Sequence, residues 1–239
     1  MKRILYNTIR KLSTGVLDFL FPVECMGCGS GEDWLCTTCV ASIPRAMRLS
    51  CFTCKNPTTD GEWCGACRKE SPLRGIWPAA RYHAELLQRA IHAMKYSAQY
   101  VFAAPLAKFL HQFFLQWPFL LSARILFIPV PLHQKRLRER GYNQSHLLVA
   151  HLLSRTGSGV CGCWLLERTR HTKAQVQCAR EERLRNVTSA FRYRGPPIAA
   201  SERIVLVDDV ATTGSTLASC ARVLHTAGAR DVWGLVLAR

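Results

Sequence analysis

The sequence predicts one good-sized α/β domain joined to a small metal-held module. Two observations predict the domain. Apolar runs at Ile125–Ile128, Ile204–Val207 and Val232–Leu237 read as strands buried in a sheet, and stretches with apolar residues at helical spacing separate or follow them. A third observation predicts the module: eight of the twelve cysteines lie between positions 25 and 67, every one in a Cys-x-x-Cys pair. The 239 residues suffice for both parts, and 49% hydrophobic content supports a packed core.

Residues 1–21 start basic, with Lys2 and Arg3, but Asn7, Arg10, Lys11 and Ser13 interrupt any apolar core, and no small-residue cleavage pattern precedes Cys25. Ile4, Leu5, Ile9, Leu12, Val16, Leu17 and Leu20 fall near helical spacing, so this stretch reads as an amphipathic helix that docks on the protein rather than on a membrane. No run of 18 apolar residues exists, and no transmembrane segment is expected.

The module spans 22–72. Its pairs are Cys25/Cys28, Cys36/Cys39, Cys51/Cys54 and Cys64/Cys67. One Cys-x-x-Cys knuckle supplies two thiolates, and two knuckles complete a tetrahedral four-thiolate site for Zn²⁺. Few large apolar residues lie here, so metal binding, worth on the order of 10 kcal/mol in small modules, supplies the stability that burial does not. One or two structural zinc ions are expected. Spacing leaves the pairing open: sequential (25/28 with 36/39, 51/54 with 64/67) or interleaved (25/28 with 51/54, 36/39 with 64/67). An iron–sulfur centre is a minor alternative to zinc. Paired cysteines without disulfides indicate a reducing compartment.

The α/β domain covers 73–239. Ile76–Tyr82 is extended. Leu86, Leu87, Ala90, Ile91 and Met94 mark a helix that ends near Lys95-Tyr96, and a second runs from about Ala104 to Gln116, with Pro105 in its first turn. After the strand Ile125–Ile128 comes Pro129-Val130-Pro131 and a basic run, Lys135, Arg136, Arg138 and Arg140. A basic loop at a strand's carboxyl end suits pyrophosphate, although a solvated charge run has the same composition. A helix follows through Leu147, Leu148, Leu152 and Leu153. Gly157–Gly162 matches G-x-G-x-x-G but follows a helix, the reverse of a dinucleotide site. Two short strands, near 165–170 and 190–193, flank a charge-dense segment, 168–186, that can close over a polyphosphate. A surface helix laced with salt bridges would read the same way. His225 reads as a solvent-facing or capping residue.

The chain turns on residues 203–217, Arg-Ile-Val-Leu-Val-Asp-Asp-Val-Ala-Thr-Thr-Gly-Ser-Thr-Leu. A buried strand ends in Asp208 and Asp209. Ala211, Thr212, Thr213, Gly214, Ser215 and Thr216 then lead into a helix. Free N–H groups and the dipole at a helix start attract phosphate, hydroxyls add donors, and Gly214 allows close approach. The two acids would repel a second phosphate and suit ribose hydroxyls or a pyrophosphate-bridging metal.

This stretch closely resembles the 5-phosphoribosyl 1-pyrophosphate (PRPP) motif of type I phosphoribosyltransferases. The resemblance places the ribose on Asp208 and Asp209 and the 5′-phosphate on the 211–216 loop. The cysteine module, followed by Met94-Lys95-Tyr96, Pro129-Val130-Pro131, Glu139–Gln144, Arg168–Gln175, Arg183–Asn186 and the Asp208–Thr216 loop, is similar to the ComF family of competence and DNA-utilisation proteins over nearly the whole chain. That resemblance implies a type I phosphoribosyltransferase-like, doubly wound, mainly parallel sheet behind an N-terminal double zinc ribbon. It also implies Mg²⁺ with PRPP, a cytoplasmic role with incoming single-stranded DNA, and partners such as a DNA-uptake helicase or other competence proteins. Arg138, Arg140 and Lys173 take the catalytic role at the departing pyrophosphate. Purine-salvage phosphoribosyltransferases commonly carry an extra Asp in the phosphate loop, where this chain has Thr212, so purine salvage is disfavoured and no base for an acceptor is visible.

Two function classes follow. One is a phosphoribosyltransferase with an unidentified acceptor. The other is a PRPP- or phosphate-sensing module that binds single-stranded DNA through its basic surface, since a net charge of +16 favours a polyanionic partner.

Overall fold

The computed structural model describes residues 23–31, 33–46, 50–97, 99–116, 125–157, 159–170 and 190–239. The amphipathic stretch 1–21 lies outside them, as does most of the charged segment 168–186, Lys173 included. The chain divides into two compact units, residues 1–42 and 43–239. The first holds Cys25, Cys28, Cys36 and Cys39 and a short helix, α1 (Thr37–Ser42).

In the second unit, five strands form a parallel sheet: β1 (Gly75–Ala80), β2 (Ile125–Pro129), β3 (Val160–Cys161), β6 (Arg203–Val210) and β7 (Asp231–Ala238), in the order β1-β7-β6-β2-β3. Two further strands, β4 (Leu166–Arg168) and β5 (Phe191–Tyr193), pair antiparallel beside it. The apolar runs of β6 and β7 are fully covered, as a sheet buried on both faces requires.

Helices α4 (Ala103–Phe114) and α6 (Gln144–Thr156) pack on each other. α4 lies against β1 and β7, and α6 against β2 and β6. Phe114 of α4 meets Phe127 of β2 edge-on at 5.7 Å. Ile128, the next residue, joins the opposite cluster with Ile204, Leu206 and Val232, where α7 (Ser215–Thr226) contributes Leu217, Cys220 and Leu224. Alternate strand residues therefore feed two cores, one on each face, which makes the sheet doubly wound.

The cysteine knuckles that include α2 (Gly65–Arg68) join the second core through Phe52 and Trp63. They are stitched to β1: Trp63 N donates to Arg74 O at 2.9 Å, and Trp77 Nε1 donates to Asp60 O at 2.7 Å. Only glycine fits at position 75, because a Cβ there would lie 2.2 Å from Gly61 O.

Strand order places the site. From β2 the chain crosses through α6 to β3 on one side, and later returns to β6 on the other. The order reverses between β2 and β6, and a crevice opens at the carboxyl ends of strands where such a reversal occurs. The β2 end leads into α5 (Gln134–Arg140), and the β6 end carries the acid pair. The basic run is thus a short helix rather than a loop. His133 Nδ1 accepts from Lys135 N at its start, and left-handed Gly141 ends it.

Candidate functional site

Successive strand residues face opposite sides, so Asp208 and Asp209 find different partners. Asp208 Oδ1 accepts from Ser145 Oγ at 3.0 Å and from Asp209 N at 2.9 Å. Asp209, 7% exposed, pairs with Lys95 Nζ at 2.8 Å. Lys95 sits in the last turn of α3 (Glu85–Tyr96). Burial alone would lower its pKa, but the Asp209 carboxylate more than offsets this and holds it above the usual lysine value. Burial, then the neighbouring Asp209 charge, pushes the Asp208 carboxyl up to about 7.

One residue couples the two strand ends. Asn143 Nδ2 donates to Val130 O, just past β2, while its Oδ1 caps α6 by accepting from Ser145 N, both at 3.0 Å. Ser145 then reaches Asp208. Beside it, Tyr142 Oη donates to Met94 O at 2.5 Å and fixes the end of α3 that carries Lys95.

The loop after β6 begins with Ala211 N donating to Ala238 O at 3.1 Å. Thr212 and Thr213 are exposed, and Ser215 and Thr216 are half-buried. Thr213 Oγ1 donates to Ser215 Oγ at 3.0 Å. Gly214, at φ +73°, occupies the N-cap of α7 and brings no side chain; Ser215 N donates to Thr213 Oγ1 at 3.4 Å, and the N–H groups of Thr216 and Leu217 that follow can serve an anion.

Arg140 is half-buried above Tyr96, its Cζ 5.7 Å from the ring centroid. Burial lowers its pKa, and the Asp209 charge works against that. Arg138 on the same helix is exposed. Arg168, at the end of β4, is lowered by burial and by the Arg136 charge, and it also feels Asp208. Acids, hydroxyl loop and arginines thus gather at the reversal point, a combination that can hold a sugar between two anionic groups.

Among the described residues two groups of cysteines can hold a metal: Cys25, Cys28, Cys36 and Cys39, and Cys51, Cys54, Cys64 and Cys67, with all sulfurs of a group within 4.8 Å. The pairing is sequential. Sulfurs of Cys28 and Cys36 lie 3.8 Å apart, and those of Cys54 and Cys64 3.5 Å, near the edge of about 3.8 Å that a Zn–S bond of about 2.3 Å implies. Burial opposes ionisation of Cys25 and Cys51, yet backbone N–H groups aimed at each sulfur bring both to about 6. Hydrogen bonds with Cys36 and Cys64, then burial, push Cys39 and Cys67 up to about 12. Four crowded thiols do not ionise together unaided, and a bound dication lets them do so.

The Double zinc ribbon domain family matches residues 16–68. The DNA utilization protein YhgH of Escherichia coli O157:H7 is 35% identical over 208 residues, 84% of this chain and 88% of that protein. The chain belongs to the ComF family of competence and DNA-utilisation proteins. Competence protein F of Haemophilus influenzae is 31% identical over 73% of this chain and 78% of its own length. Competence protein ComFC of Streptococcus pneumoniae is 34% identical over 47% of each chain. In this ComF protein no helix among the described residues is long and apolar enough to cross a membrane.

Sequence reasoning missed Lys95, Asn143 and Ser145 as site residues. Asn-x-Ser before an apolar helix is a readable cap pattern. Nothing in linear order ties Lys95 to Asp209. His225 is neither solvent-facing nor a helix cap: its half-buried ring bridges Ala229 O, at 2.7 Å, and Pro72 O, at 2.6 Å, both outside α7.

Elemental analysis of fresh protein should find two zinc ions per chain, with Cys25→Ser and Cys51→Ser each removing one; zinc-free protein would contradict the clusters. Asp208 supplies a pH test. Between its ordinary 3.8 and about 7, the folded state holds a proton that the unfolded chain has released, so its contribution to stability falls as pH rises through that window. Asp208→Asn should therefore gain on wild type as pH rises from about 4 to about 7, by a few kcal/mol at most, in denaturant titrations.

Proposed function

We propose that this ComF-family protein binds PRPP at the carboxyl ends of β2 and β6 and works in the cytoplasm on incoming single-stranded DNA. The observation that carries this reading is the acid pair placed beside a helix start with glycine at its N-cap, at the point where strand order reverses. Asp208 and Asp209 take the ribose hydroxyls, and residues 211–216 take the 5′-phosphate. Burial of Asp208 next to a second acid favours a ligand that brings hydroxyl donors or a cation. Mg²⁺ would enter with the pyrophosphate near Asp208 and neutralise charge on it. Arg140 and Arg138, together with Lys173, would stabilise pyrophosphate as its bond to C1′ breaks and a bond to an acceptor nucleophile forms.

A second reading is a silent sensor, in which the same site reports PRPP to a DNA-binding surface. Tyr96 is 70% exposed and Tyr100 63%, and both lie close to the site: Arg140 covers Tyr96, and Tyr100 meets Tyr142 edge-on at 6.3 Å. Exposed rings interleaved with arginines suit stacked bases and a phosphate backbone. Both readings share the ligand.

Calorimetry with PRPP and Mg²⁺ tests that ligand. Wild type should bind, and the double change Asp208→Ala/Asp209→Ala should weaken binding by on the order of a hundredfold, as loss of charge-assisted hydrogen bonds does. Equal binding by the two proteins would refute the site.

A further inference from the structure

The phosphate loop does not rest on the sheet alone. A methyl group built on Gly214 would lie 2.8 Å from Ile76 Cδ1 and 3.4 Å from Phe52 Cε1, so the loop backbone lies directly on these two side chains. Ile76 belongs to β1. Phe52 belongs to the cysteine module, in the turn Cys51-Phe52-Thr53-Cys54, and it is 2% exposed.

The ring of Phe52 is fixed from several sides. Trp63, the residue before Cys64, meets it edge-on at 5.8 Å and 90°. The Arg239 guanidinium lies 4.0 Å from its centroid and donates to Phe52 O, the same oxygen that Lys55 Nζ reaches at 3.2 Å. Phe52 therefore sits between one knuckle, 51/54, and a residue of the other, 64/67. A metal that ties those knuckles together fixes the ring, and the ring fixes the loop.

We infer that Phe52 is a positioning residue for the phosphate loop, through which the metal held by Cys51, Cys54, Cys64 and Cys67 sets the loop's readiness for a sugar phosphate. The coupling rests on the PRPP reading for its ligand, but the contact itself does not depend on which anion binds. Coupling of this kind is reciprocal: a bound sugar phosphate slows loss of that metal ion to a chelator. The module is then part of the ligand site rather than an independent appendage.

The test uses the full zinc-loaded chain with two readouts. The first is amide hydrogen exchange over residues 211–218 without ligand. Phe52→Ala should speed exchange there by on the order of tenfold with zinc content unchanged, and Phe52→Leu should restore protection. Cys64→Ser, which loses one zinc ion, should reproduce the Phe52→Ala result. The second is calorimetry with PRPP and Mg²⁺, where Phe52→Ala should bind on the order of tenfold more weakly than wild type and Phe52→Leu close to it. If Phe52→Ala does not fold, Arg239→Ala takes its place, with the same directions and smaller effects. Unchanged exchange in a folded, zinc-replete variant would overturn the inference. Altered exchange in a protein that never binds PRPP would uphold it while refuting the ligand.

Discussion

Two neighbouring carboxylates at the end of a strand buried on both faces impose the constraint to which the rest of this site answers. A buried charge is tolerated only when it is paired or hydrogen-bonded. Asp209 has Lys95, and Asp208 has Ser145 and the Asp209 N–H. Each partner comes from a different part of the chain, and each is held in turn: α3 by Tyr142, Ser145 by the Asn143 cap. The acids thereby fix how α3, α6, β2 and β6 converge. Among the described residues Asp208 has no cation in direct contact but feels the charge of Arg168 on β4, while Arg140 of α5 feels Asp209.

Lys95 pairs directly with Asp209, whereas two arginines of the crevice also rest on aromatic rings. Arg140 lies over Tyr96 rather than in an ion pair with the acids, and Arg168 lies over Phe191, its Cζ 5.4 Å from the ring centroid. Aromatic faces hold the guanidinium groups near the crevice through cation–π attraction. This is the crevice for which we propose a ligand with a neutral, hydroxyl-bearing centre and anionic ends.

The fold was largely legible because the central strands β2 and β6 carry uninterrupted apolar runs and the longer helices carry clear apolar faces. The Cys-x-x-Cys spacing announced two four-cysteine groups, but sequential and interleaved pairing have the same linear pattern. Only the closeness of Cys28 to Cys36, and of Cys54 to Cys64, separates them. The acid pair was readable because carboxylates rarely end a buried strand without a reason. Lys95 was not, since it lies 114 positions from Asp209 and looks like an ordinary last-turn lysine. Phe52 was hidden for a similar reason: an aromatic between two metal ligands gives no sign of the distant loop it touches. Residues 135–140 read as a loop because their charges mask a short helix whose ends are set by His133 and Gly141.

We propose that a sugar phosphate seats between the Asp208–Asp209 pair and the start of α7. Crystals soaked with ribose 5-phosphate test that placement. The phosphate should lie against the backbone N–H groups of residues 212–216, with ribose hydroxyls within about 3.2 Å of the two carboxylates. A sugar phosphate bound elsewhere, or an empty crevice at saturating concentration, would contradict it.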